Sequence, residues 1–171
     1  MSLRIVLLMI YIFIKSTSIH AQELDFKVNE WRSFDLDKIT VVATKNAADD
    51  TLSAACSPEK LLCYYSLRIF PTCVDGFKTF AIASTDQGAE PLSLECTSNG
   101  YLLSPYETIN RLILNSNNIA FAVPLEGGRF SVSRFTLVGA VAQLRLMGAK
   151  MNKAFEASKN KMHEIIPNEI Q

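Results

Sequence analysis

Four cysteines, Cys56, Cys63, Cys73 and Cys96, are the residues best placed to do chemistry in this chain, and two chemistries are open to them. As thiolates they serve metal binding or redox exchange; as oxidised pairs they staple a domain. No Cys-x-x-Cys occurs, and spacings of seven, ten and twenty-three residues match no zinc framework, so structural bridging is the preferred reading. Four cysteines allow three connectivities. The strand pattern favours Cys56 with Cys63 across one hairpin, and Cys73 with Cys96 between a strand entrance and a later strand.

The other reactive residue types are sparse. Histidine occurs twice: His20 lies in the amino-terminal segment and His163 in a polar tail, so neither a Ser-His-Asp or Cys-His mechanism nor a multi-histidine metal site is expected. Asp75, Asp86, Glu90, Glu95 and Glu107 offer carboxylates for a glycosidase-like pair, yet no spacing marks any two of them; turn and strand-edge acids explain them better. Glu126-Gly127-Gly128 reads as a turn rather than a phosphate cradle. Arg129 and Arg134 differ by an odd number of residues, which puts them on opposite faces of a regular strand and argues against an anion clamp. Trp31, Tyr64, Tyr65, Phe70, Tyr101 and Tyr106 are aromatic candidates for a binding face, with core packing the commoner use. Of the consecutive Tyr64 and Tyr65, one must point away from the core. No cofactor or metal is called for.

The amino terminus indicates where the protein works. Arg4 precedes an apolar run from Ile5 to Ile14, and Ser16 to Ala21 is a polar stretch ending in a small residue, the layout of an export signal over residues 1–21. Ten apolar residues are too few to span a bilayer, which needs about twenty. The alternative is a retained short anchor, because Lys15 and Ile19 fit a cleavage region imperfectly. Cleavage after Ala21 leaves residues 22–157 as one disulfide-stabilised domain and residues 158–171 as a polar tail. It also leaves 15 basic and 17 acidic residues, a near-neutral balance that favours neither nucleic acid nor anionic lipid as the main partner. No stable membrane insertion is expected once the signal is removed.

Strand-like patterning dominates the first two thirds of the mature chain. Strands are expected over Leu24–Trp31, Lys38–Thr44, Leu52–Cys56, Leu61–Phe70, Phe77–Ser84 and Pro91–Thr97, with turns at Asn46–Asp50, Ser57–Lys60, Val74–Gly76 and Asp86–Ala89. Read in order, they form an antiparallel meander. Ser104-Pro105-x-Glu107 resembles a capping box with proline at the first helical position, predicting a short helix over Pro105–Leu114 with Ile109, Leu112 and Ile113 on its apolar side. Asn118–Leu125 and Arg129–Phe135 flank the glycine turn as a hairpin. Beyond it Leu137, Val141, Leu144, Met147 or Gly148, Met151 and Phe155 recur at helical spacing, with Thr136 as the cap. The fold class is therefore α+β: an antiparallel β-rich sheet or sandwich, a short middle helix and a long C-terminal helix covering the sheet.

The segment NIAFAVPLEGGRFSVSRFTLVGA, residues 118–140, together with Cys73-Val-Asp-Gly76 and Cys96, resembles uncharacterised exported bacterial proteins and is distantly similar to the invasion-associated locus B family. The resemblance covers residues 30–150 and implies a small, disulfide-bonded, β-rich envelope protein linked to host contact. It implies no catalytic residues. The expected function is that of a noncatalytic periplasmic or secreted interaction protein acting on a protein partner. Two alternatives stay open, an inhibitor of a secreted or cell-wall enzyme and a carboxylate-dependent hydrolase. Mass spectrometry of the protein exported by its native cells tests the first step: the mature chain begins at Gln22, and an unprocessed N terminus rejects cleavage after Ala21.

Overall fold

Among the described residues, alternation of outward and inward side chains gives nine strands in one antiparallel sheet: β1 (Arg32–Leu36), β2 (Ile39–Lys45), β3 (Thr51–Ser57), β4 (Leu62–Arg68), β5 (Lys78–Thr85), β6 (Gly88–Thr97), β7 (Gly100–Ser104), β8 (Asn118–Pro124) and β9 (Phe130–Thr136). Two helices complete it among the same residues, α1 (Tyr106–Asn115) and α2 (Ala140–Ile165). The computed structural model describes residues 27–70 and 73–165; the expected signal peptide over 1–21 lies outside the described residues, as do residues 24–26 of the expected strand Leu24–Trp31, and the rest of that segment is not a strand but a turn at Val28-Asn29 leading to β1. Trp31 itself precedes β1 and is buried. The α+β class is as expected, with a single sheet rather than a sandwich.

The sheet is not a simple meander. Its order is β1-β2-β3-β4-β7-β6-β5-β8-β9, so β4 pairs with β7, and β5, the next strand in sequence, lies two places further on beside β8. Consecutive hairpins still account for β1 to β4 and, in reverse spatial order, for β5 to β7. The turn at Ser98-Asn99 makes β7 a strand that the pattern between Thr97 and Ser104 left unassigned. Gly100 opens β7 at φ +112°, where an added Cβ would lie 2.7 Å from the Leu67 carbonyl oxygen; only glycine lets β7 pass this close to β4. Pro91, opposite Ile82, lies beyond the last β6·β7 pair, Ser93↔Ser104, where no ladder needs its missing N–H.

Register fixes which side chains share a face. Val42, Leu52, Ala54, Cys56, Tyr65, Leu67, Leu94 and Phe121 alternate inward and join Ile109, Ile113, Leu144 and Met147 from the helices in one core. Helix α1 lies over β4, β7 and β8, and α2 over β1 to β3. Tyr65 stacks on Tyr106 with ring centroids 5.2 Å apart and donates its hydroxyl to Asn110 Oδ1 at 2.8 Å. Burial pushes its phenol pKa well up. Tyr64 is the outward neighbour, as the alternation requires.

Both favoured disulfides form. Cys56 and Cys63 face each other across the β3–β4 hairpin, and Cys73 is joined to Cys96 on β6, tying the chain between β4 and β5 to the sheet. All four cysteines are thereby paired.

The helix boundaries depart from the expected caps. Ser104 ends β7 with its hydroxyl donating to Ser93 O at 3.5 Å, which carries it away from the helical amides; Pro105 is the extended residue before α1, with no side-chain cap. Thr136 pairs with Asn118 as the last residue of β9, and α2 starts four residues later, after Gly139. Ala140, Leu144 and Met147 form the buried stripe of α2, Met151 packs against it, and Phe155 is 52% exposed. The helix continues past Ser158, the expected start of the tail, to Ile165. Lys150 reaches Asp35 on β1 at 2.8 Å, and that contact holds the Asp35 carboxyl below the usual carboxylate range.

The stripe makes a measurable contrast. Leu144→Ala lowers the unfolding free energy by about 2–5 kcal/mol, whereas Phe155→Ala changes it by less than about 0.5 kcal/mol. Urea denaturation of the oxidised chain checks both, and equal losses reject this docking face.

Candidate functional site

The helices cover one face of the sheet, and the described residues leave a large part of the other uncovered. In β5, Ala81 and Ala83 point into the core while Phe80 and Ile82 point out. The ladder carries that outward row on: Pro91↔Ile82, Ile82↔Ala122 and Ala122↔Val132 form one line from β6 to β9. Phe80 and the pair Pro124↔Phe130 lie one outward position along. Phe80 is 60% exposed, Phe130 59% and Val132 44%, so the patch presents aromatic and branched side chains to solvent over four neighbouring strands. Contiguous apolar surface of this kind marks interaction sites more often than isolated exposed residues do.

Charge on the same face is one-sided. Register places Arg32, Lys45, Arg68, Lys78 and Arg134 outward, against Glu95 alone among the described strand residues. Lys78 and Glu95 pair across β5 and β6 at 3.3 Å, Lys45 pairs with Asp49 at 2.9 Å and Arg32 with Glu30 at 3.0 Å. Arg134 has no ion pair among the described residues. It lines a cleft of about 540 Å³ with Asn46, Ser84, Asp86, Asn118 and Thr136, beside the apolar patch. Burial raises the Asp86 carboxyl, but hydrogen bonds led by the Asn117 backbone N–H outweigh it and hold the group below its ordinary value. A second cleft of about 260 Å³ lies near the Cys73–Cys96 bridge, between Arg68, Asp75 and Tyr101.

A buried polar cluster fixes the far edge of this surface. The Asp50 carboxylate accepts from Ser133 Oγ at 2.6 Å and from Asn46 Nδ2 at 3.1 Å, while Asn46 Oδ1 accepts from the Asp50 and Ala48 amides. Trp31 Nε1 donates to Thr136 O at 2.8 Å. Together these contacts bring the β2–β3 turn and the chain before β1 against β9, on the opposite side of the sheet order, so the sheet curls.

The residues singled out by sequence disperse. Glu90 faces the helices and pairs with Arg111 of α1; Glu95 faces the open side, so these two acids of β6 cannot act as a pair. Glu107 sits in the first turn of α1, and Asp75 in the turn after Cys73. Trp31, Tyr65 and Tyr101 are core residues, Tyr106 is half-buried, and Tyr64 and Phe70 are exposed. Arg129 precedes β9, and the Glu126–Gly128 segment is a tight turn with Gly127 at φ +73°. The side chain of His163 lies outside the described residues. Among the described residues, no group of three or more His, Cys, Asp or Glu side chains is arranged to hold a metal ion, and no helix is long and apolar enough to cross a membrane. Sequence reasoning missed Phe80, Phe130 and Val132. Their period-two spacing was visible, but it does not say which face the helices cover.

No protein-family model matches the chain, and no curated protein or solved structure is significantly similar to it. The polar cluster is open to a direct check. Asp50→Ala leaves Ser133 and Asn46 without their acceptor and costs about 1–3 kcal/mol; in a double-mutant cycle with Ser133→Ala the losses are less than additive. Strict additivity in denaturation curves rejects the coupling.

Proposed function

We propose that this chain is a noncatalytic exported interaction protein, periplasmic or secreted, that binds a protein partner through the open face of its sheet. The observation that carries the reading is the uncovered patch of Phe80, Phe130 and Val132. Burying such side chains at an interface contributes about 1.5–3 kcal/mol each when they are fully covered. The surrounding cations, with Arg134 free of an ion pair among the described residues, favour a partner that sets acidic groups around an apolar centre. Two disulfides suit an oxidising compartment outside the cytosol. The resemblance to the invasion-associated locus B family adds a role in host contact. The carboxylates that would serve a hydrolase gain no support from their positions, since Glu90 and Glu95 occupy opposite faces and are each ion-paired.

The test compares the tagged chain with its Phe80→Glu variant, both captured from native cells under nonreducing conditions. Wild type retains one stoichiometric partner, and the variant binds it at least tenfold more weakly, a loss of about 1.4 kcal/mol. Equal capture by both forms rejects the open face, and turnover of a glycan or peptide without any partner rejects the noncatalytic reading.

A further inference from the structure

We propose that the chain pairs with a second copy of itself through β9, in antiparallel register centred on Val132. Among the described residues β9 is the last strand of the sheet and pairs only with β8. Backbone groups of an antiparallel strand point alternately toward and away from the neighbour. Leu125 N donates to Arg129 O across the hairpin, and Thr136 O turns outward to Trp31 Nε1. Alternation between these two fixed points turns the N–H and C=O of Phe130, Val132 and Arg134 away from β8. None of these backbone groups has a hydrogen-bond partner among the described residues. The free stretch is bounded by the Glu126–Gly128 turn at one end and Trp31 at the other, and Val132 is its midpoint.

The sequence of that stretch, Phe-Ser-Val-Ser-Arg over residues 130–134, is complementary to itself. An antiparallel two-fold centred on Val132 sets Val132 against its own copy and Phe130 against Arg134 of the second copy, with Ser131 level with the second Ser133, whose buried hydroxyl stays on Asp50. Each outward pair exchanges two backbone hydrogen bonds. Arg134, which has no ion pair among the described residues, meets an aromatic ring, a cation–π contact, and the valines meet each other. The edge is lightly guarded: Phe130–Thr136 carries one charge, Arg134, but no proline, no lysine and no bulge, and its register with β8 is unbroken. The 15 basic and 17 acidic residues expected after cleavage nearly balance, so net charge supplies little repulsion between copies. The opposite edge, β1, is less suited, because Asp35 there is ion-paired to Lys150 of α2 and Arg32 to Glu30.

Pairing makes the open faces of two copies continuous, but it does not depend on the partner-binding reading. The test uses the full-length gene expressed for export and the oxidised protein recovered from it, followed by sedimentation equilibrium. Wild type shows twice the monomer mass. Val132→Glu and Val132→Lys each place like charges together at the two-fold and sediment as monomers; mixing the two restores the doubled mass. In wild type, the amides of Phe130, Val132 and Arg134 exchange hydrogen more slowly as protein concentration rises, a readout that needs no variant to fold. A wild-type monomer, dimeric single variants, a mixture that stays monomeric, or exchange indifferent to concentration each overturns the pairing. A monomer whose partner capture still depends on Phe80 rejects the pairing alone and leaves the binding reading intact.

Discussion

The short ladder between β4 and β7 is the constraint on which the rest of the molecule depends. Among the described residues the ladder that joins the first four strands to the other five consists of Tyr65↔Leu103, Ser66↔Leu102 and Leu67↔Tyr101. A strand pair this short is weak by itself, and it is held from above. Tyr65 is fully buried, stacked on Tyr106 and bonded to Asn110, so α1 clamps the seam through one side chain. Gly100 admits β7 at the distance the ladder needs. The Cys73–Cys96 bridge secures the crossing chain that would otherwise be a long loop between β4 and β5.

Joining two hairpin sets at a central seam leaves their outer ends to be managed. The first end is drawn back by polar contacts of high sequence separation, Trp31 to Thr136 and Asp50 to Ser133. Such buried hydrogen bonds contribute modestly when made and cost more when one partner is left alone, so they specify the curl more than they stabilise the chain. The curl wraps the sheet around its helices and turns the other face outward. Helix α2 is committed to β1 through β3, and α1 to the seam and β8. Nothing among the described residues is left to cover Phe80 and Val132.

The arrangement of side chains in β5 shows how a face becomes available. A strand with alanines on one side and Phe80 and Ile82 on the other would conventionally bury its larger side. Here the small side faces the core, in the cluster that also holds Phe121, Ile109 and Ile113. The larger apolar side is left outside, and a partner that covers it gains what the fold itself did not use.

Much of this architecture was legible in the residues alone. Turn chemistry at Asn46–Asp50, Ser57–Lys60 and Glu126–Gly128 placed the hairpins, the disulfide pairing followed from them, and the 3.6-residue spacing of Leu144, Met147 and Met151 found the face of α2. These are local signals, set by backbone preferences and by burial of one stripe or row. Three things needed the tertiary structure. Ser104 and Thr136 had the composition of caps but were drawn into β7 and β9, since ladder hydrogen bonds competed for the same backbone. The strand order depended on which edges met, a choice between equally patterned strands. The exposed face depended on where two helices came to rest, and period-two alternation names two faces without saying which is inside. Sequence determined the elements and their covalent staples because those are decided within a few residues; the order of strands and the open surface were decided by long-range packing, which no local pattern encodes.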